Sequence, residues 1–163
     1  MNILELAKRN QQKAWEIIED TRIVRIWEGI GAKVNLVGSL RTGLLMKHRD
    51  IDFHIYTSPL DLSASFRAMA ELAENTSVKK IEYTNLLHTA DGYFERVAER
   101  ISAVLTDEMR LAILKLKYET PDTEKIMGVE YYQAVIQDGV RSYPEFEEWR
   151  RLHPVVGVVE WMP

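Results

Sequence analysis

Asp50 and Asp52 stand two residues apart in a segment, 50–57, that alternates as a β-strand. Ile51, Phe53 and Ile55 point one way, and Asp50, Asp52, His54 and Tyr56 the other. Residues two apart on a strand share a face and lie roughly 6.5–7 Å apart along it. Two carboxylates so placed can hold a hard divalent cation, or a pair of them, against phosphate oxygens. Phosphoryl and nucleotidyl transfer ask little more of a protein than positioning and charge neutralisation.

Gly38-Ser39 offers the other half of such a site. It follows Lys33-Val34-Asn35-Leu36-Val37, which reads as a buried strand. A glycine at a strand-to-helix turn lets the backbone approach a ligand. The N–H groups after it can face an anion, and the Ser39 hydroxyl adds a hydrogen bond. Ser39 and Asp50 are 50 − 39 = 11 residues apart. A short helix and a turn fill that interval, so the two strands return side by side and both half-sites face one cleft. Alone, Asp-x-Asp reads as a solvated strand face and Gly-Ser as an ordinary turn. Their conjunction is what points to phosphate and metal binding. Arg41, Lys47 and Arg49, with His48, lie close in sequence and are candidates to neutralise a triphosphate. Arg41, two residues after Ser39, is the nearest. His54 reads first as a hydrogen-bonded structural histidine, and the four tryptophans and Tyr131-Tyr132 as packing residues.

The elements that must position these residues are mostly helical. Leu4, Ala7, Gln11, Trp15 and Ile18 recur at helical spacing, and Thr21 is placed to cap a second helix, 22–28. A short helix is expected over 40–46. Ser58 and Pro59 suit the N-cap and first turn of a helix running to about Glu74. A third strand is expected over 81–87. Helices follow over 93–105, from the Thr106 cap to Pro121, over 124–136 and over 144–151, with an extended tail at 155–161. The fold class expected is α+β: a small mixed β-sheet core flanked by N-terminal and C-terminal helices. One domain spans 1–163, with helices in 1–31, the α/β core in 32–90 and a helical part in 91–163.

Composition bounds the function. Hydrophobic residues make up 46% of the 163 and charged residues 28%, an ordinary globular balance. The absence of cysteine excludes disulfides, thiolate metal sites and cysteine nucleophiles. A net charge of −4 argues against a dedicated duplex nucleic-acid binder. No apolar run is long enough for a membrane span, and the first residues lack a secretory core. A cytoplasmic location is the default expectation.

Val34-Asn35-Leu36-Val37-Gly38-Ser39 followed by Asp50-Ile51-Asp52-Phe53 resembles the signature of the nucleotidyltransferase superfamily related to DNA polymerase beta. The likeness covers residues 33–57, and the rest of the chain is similar to small bacterial predicted nucleotidyltransferases. The resemblance implies transfer of a nucleoside monophosphate from a nucleoside triphosphate to a hydroxyl acceptor, using two Mg2+ ions at Asp50 and Asp52. It also implies a third carboxylate on a later strand, acting as general base. Glu82, the one acidic residue of the expected third strand, is its candidate, with Asp91, Glu95 and Glu99 behind it. The chain departs from the pattern here, because it passes almost directly from 81–90 into a helix. General-base catalysis contributes typically about 10²–10⁴-fold. Three readings therefore stand: an active nucleotidyltransferase, a relative that binds nucleotide and Mg2+ with impaired catalysis, and a metal-dependent phosphohydrolase. The acceptor, small or macromolecular, is open, and the tail with Val155, Val158 and Trp161 could pack against a second copy.

Overall fold

A computed structural model describes residues 2–83, 93–154 and 161–163. Among these residues, eight helices surround a two-stranded sheet, an α+β arrangement. Strands β1 (Lys33–Val37) and β2 (Asp52–Tyr56) pair antiparallel, with Val37 opposite Asp52, Leu36 opposite Phe53 and Asn35 opposite His54. The expected alternation holds: Phe53 and Leu36 pack with Ile51 against a small core of Ala14, Ile18, Leu40 and Leu45. The polar face of β2 turns the other way. The second strand starts at Asp52, so Asp50 precedes it rather than opening it.

The N-terminal helix α1 (Ile3–Thr21) buries Ala7, Ala14 and Ile18. Trp15 and Leu4, expected on its inner stripe, are instead about half exposed. Asn10 and Gln11 occupy the inner face for a polar reason. The irregular stretch after helix α3 (Gly38–Thr42) is buried, and Leu44, Leu45 and Met46 have essentially no exposed surface. Buried carbonyls need donors. Asn10 Nδ2 donates to Met46 O at 3.0 Å and Gln11 Nε2 to Gly43 O at 3.1 Å. From the other side Arg110 Nη1 donates to Thr42 O at 2.9 Å. The helix expected over 40–46 stops at Thr42 because Gly43 takes a left-handed φ of 72°.

Helix boundaries move wherever a better cap competes. Helix α2 (Ile23–Gly29) has no side-chain cap. The Thr21 hydroxyl expected there donates back to Ile17 O at 2.7 Å. Helix α4 (Leu62–Ala73) starts beyond Ser58-Pro59 because the Asp61 carboxylate accepts from the Ala64 N–H at 3.0 Å. Helices α5 (Tyr93–Val104) and α6 (Asp107–Glu119) match the expected segments, with Thr106 capping α6 through Met109 N–H. Helix α7 (Gly128–Ile136) begins four residues late, since Glu130 turns back to accept from the Met127 N–H at 2.8 Å. Helix α8 (Tyr143–Leu152) closes the order. The main core lies between α5, α6, α7 and α8, around Ile101, Ile113, Leu116, Val135 and Phe146. Residues 81–83 belong to no strand. The rest of the expected third strand, Asp91, the Phe94 and Glu95 side chains, and 155–160 lie outside the described residues. No helix among the described residues is long and apolar enough to cross a membrane.

Asn10→Ala leaves the Met46 carbonyl buried without its side-chain donor. The expected cost is about 1–3 kcal/mol, read as a lower urea midpoint with an unchanged m-value.

Candidate functional site

Gly38 adopts φ 69°, the left-handed conformation that turns β1 directly into α3. The turn brings its Cα under the Asp52 side chain. A Cβ at position 38 would fall on the Asp52 carboxylate oxygen, with Asp52 Cγ at 3.0 Å and Cβ at 3.2 Å. The glycine is therefore required twice, by the backbone and by the carboxylate above it. Antiparallel pairing of Val37 with Asp52 creates this approach.

The cavity beneath these residues measures about 650 Å³. Gly38, Ser39, Asp50 and Asp52 all line it, so the two half-sites do face one cleft. The helix after Gly38 is only five residues long, and the positive charge at the site comes from side chains. Lys117, from α6, is the central one. Its ammonium donates to Ser39 Oγ at 3.1 Å, to Tyr132 OH at 3.0 Å and to Leu44 O at 3.1 Å, which uses all three of its protons. Ser39 Oγ and Tyr132 OH lie 3.2 Å from each other, closing the triangle. The Tyr132 ring also sits under the ammonium, with its centroid 4.9 Å away. Gly128 leaves room for that phenol, since a Cβ there would come within 3.0 Å of Tyr132 OH.

The other cations divide. Lys47 lines the cavity, but its ammonium is already engaged by Asp122 at 3.2 Å and Thr120 O at 2.7 Å. Lys125 lines the cavity with no partner among the described residues. Arg41 is elsewhere. It lines a separate depression with Trp15 and Lys33, because residues two apart on a helix point about 200° from each other. Thr42, three residues after Ser39, takes the cavity side instead. Arg49 is exposed and does not line the cavity.

Burial pushes the Asp52 carboxyl pKa above its ordinary value. Repulsion from Asp50 adds to the rise, and attraction to His54 and Lys117 offsets part of it. Two carboxylates thus face a common space with their repulsion only partly offset, which suits a divalent cation shared with a ligand's oxygens. No group of three or more acidic or histidine side chains gathers as a metal cage among the described residues. Glu82, the candidate third carboxylate, is exposed and paired with Lys80 at 2.7 Å, and it does not line the cavity. Glu99 lines the depression beside Arg41.

No family model matches this chain, and no curated protein or solved structure matches it.

The residues that sequence reasoning missed, Lys117, Tyr132 and Lys125, all come from the C-terminal helical part. One signal was available for Lys117. It follows the buried Ile113 by four residues and so falls on the apolar face of α6, an unusual place for an ammonium.

Two results are expected. In the folded chain the Asp52 pKa lies above its unfolded value. Its contribution to stability is therefore intact below the unfolded pKa and lost as pH rises through the folded pKa. Asp52→Asn should stabilise the protein against urea at pH 7, and the gain should vanish near pH 3. Gly38→Ala should cost about 1–2 kcal/mol from the left-handed backbone alone, measured by the same denaturation.

Proposed function

We propose that the chain is a metal-dependent nucleotidyltransferase, moving a nucleoside monophosphate from a nucleoside triphosphate to a hydroxyl acceptor. The carrying observation is that the Asp52 carboxylate, the Gly38 turn and the Lys117–Ser39 pair share one cavity. The likeness of Gly38-Ser39 and Asp50-Ile51-Asp52 to the superfamily related to DNA polymerase beta supports the same reading, and with it a nucleotidyltransferase core.

Asp50 and Asp52 would hold Mg2+, which neutralises phosphate charge and polarises the reacting phosphorus when bound. The chain's own groups do the rest. The Gly38 turn leaves room for the Asp52 carboxylate beside the backbone, where a side chain would displace it. Ser39 Oγ and the Lys117 ammonium orient and neutralise the leaving polyphosphate, and Lys125 adds a further cation. The acceptor hydroxyl attacks the α-phosphorus and releases its proton to solvent, the bond from the α-phosphorus to the bridging β-phosphate oxygen breaks, and pyrophosphate leaves.

A second reading has its own support. Glu82 lies outside the cavity, and among the described residues the carboxylates lining it are Asp50 and Asp52 alone. A chain with two carboxylates and no separate base would bind nucleotide with Mg2+ and turn over slowly or not at all.

Pyrophosphate release with Mg2+ and each nucleoside triphosphate, with and without candidate alcohols, separates the readings. Under the first reading Asp52→Asn and Lys117→Met each lower the rate by about 10²–10³-fold. Under the second, nucleotide binds in the presence of Mg2+, Asp52→Asn abolishes binding, and no pyrophosphate appears. Release of orthophosphate instead would indicate a phosphohydrolase and overturn both.

A further inference from the structure

The cavity lining is of two chemical kinds. Ser39, Lys117, Asp50 and Asp52 supply polar and charged groups. Val97, Ala98 and Ile101 of α5, with Ile126, Met127 and Val129, supply apolar ones. The first three are buried among core side chains and cannot turn away. The second three are held by ion pairing behind them. Glu130 fixes the Met127 N–H at 2.8 Å, and Arg150 bridges Glu130 at 3.6 Å and Glu124 at 2.6 Å. A wall fixed from both sides keeps its shape, and 650 Å³ is within the range that encloses a drug-sized ligand.

Resting on the nucleotide reading, we infer that this wall receives the uncharged, apolar body of a small-molecule ligand whose anionic end lies at Ser39 and Lys117. Among the described residues, the cavity carries Lys47, Lys117 and Lys125 against Asp50 and Asp52 alone. Both aspartates belong to the charged part, so a polyamine or an amine-rich sugar finds no counter-charge against the apolar side chains. An aromatic or aliphatic body loses water against six apolar side chains instead. Two sources share that chemistry: the base of the nucleotide, and an acceptor alcohol of apolar character.

The test is calorimetric titration of the whole chain with Mg2+ present. 2-Naphthyl phosphate should bind at least tenfold more tightly than inorganic phosphate. Met127 is 44% exposed and caps α7 without a side-chain hydrogen bond, so Met127→Ala should leave the thermal midpoint and the inorganic phosphate affinity unchanged. The same variant should weaken 2-naphthyl phosphate at least threefold. A second arm titrates 2-naphthol onto protein saturated with tripolyphosphate or with ATP. Binding in both cases supports the wall as an acceptor site. Binding with tripolyphosphate alone supports it as the seat of the base. Binding in neither, or equal affinities for 2-naphthyl phosphate and inorganic phosphate, overturns the inference while ATP and tripolyphosphate still bind. Failure of both ATP and tripolyphosphate to bind overturns the nucleotide reading itself, and this inference with it.

Discussion

One ammonium ties the two halves of the molecule together. Lys117 projects from the apolar side of α6, and its three protons go to Ser39, Leu44 and Tyr132. Ser39 belongs to the turn after β1, Leu44 to the buried stretch after α3, and Tyr132 to α7. A lysine drawn into a protein interior loses hydration that costs several kcal/mol unless its donors are satisfied. Here each donor meets an oxygen, and a tyrosine ring faces the charge. The tie constrains where α6 and α7 sit relative to the sheet, and it fixes the Ser39 hydroxyl at the floor of the cavity. The same contacts that satisfy Lys117 in the fold are the ones a phosphate would compete for.

The buried stretch 43–46 explains why the site needs polar residues so deep. A loop without regular pairing presents carbonyls that water cannot reach. The chain answers with Asn10 and Gln11 from α1, and with Arg110 and Lys117 from α6. Each lies on a face that hydrophobic periodicity alone would assign to apolar side chains. Alanine is tolerated beside them at Ala7 and Ala14, where α1 comes close to its neighbours. Trp15, the largest residue of the expected stripe, is displaced outward to the depression that also holds Arg41. Polar satisfaction of one loop thus rotates the inner face of α1.

Local chemistry was legible in the sequence, and tertiary chemistry was not. The Gly38 turn and the β2 alternation are consequences of backbone geometry within a few residues, so Gly38, Ser39, Asp50 and Asp52 could be placed together before any fold was known. Arg41 shows the limit of arguing from proximity in the chain. Two positions along a helix carry a side chain to the far side, while Thr42 and the remote Lys117 reach the cavity. The adjacent Tyr131 and Tyr132 divide for the same reason. Tyr131 stacks on Phe146 with centroids 4.8 Å apart and donates to Thr120, as a packing residue should. Tyr132, one position on, points its hydroxyl at Ser39. Nothing in a Tyr-Tyr pair says which ring will face which way until α7 is docked on α6.

The electrostatics of the cavity follow from that docking. Asp50 and Asp52 come from the sheet side, and Lys117 comes from α6 on the other. Asp52 stays exposed at the cavity edge but is partly desolvated beside Asp50, and the attraction of His54 and Lys117 offsets only part of the rise in its pKa. The ammonium is shared with two hydroxyls and a carbonyl, which spreads its charge away from the carboxylates. The site thus sets two neighbouring acidic groups, only partly offset, beside a cation that is already engaged. A divalent cation would relieve the first and a phosphate the second, and each would be favoured by the presence of the other. On this argument metal and phosphate should bind cooperatively, with the Gly38 turn, which keeps Asp52 within reach of Ser39, as the element that couples them.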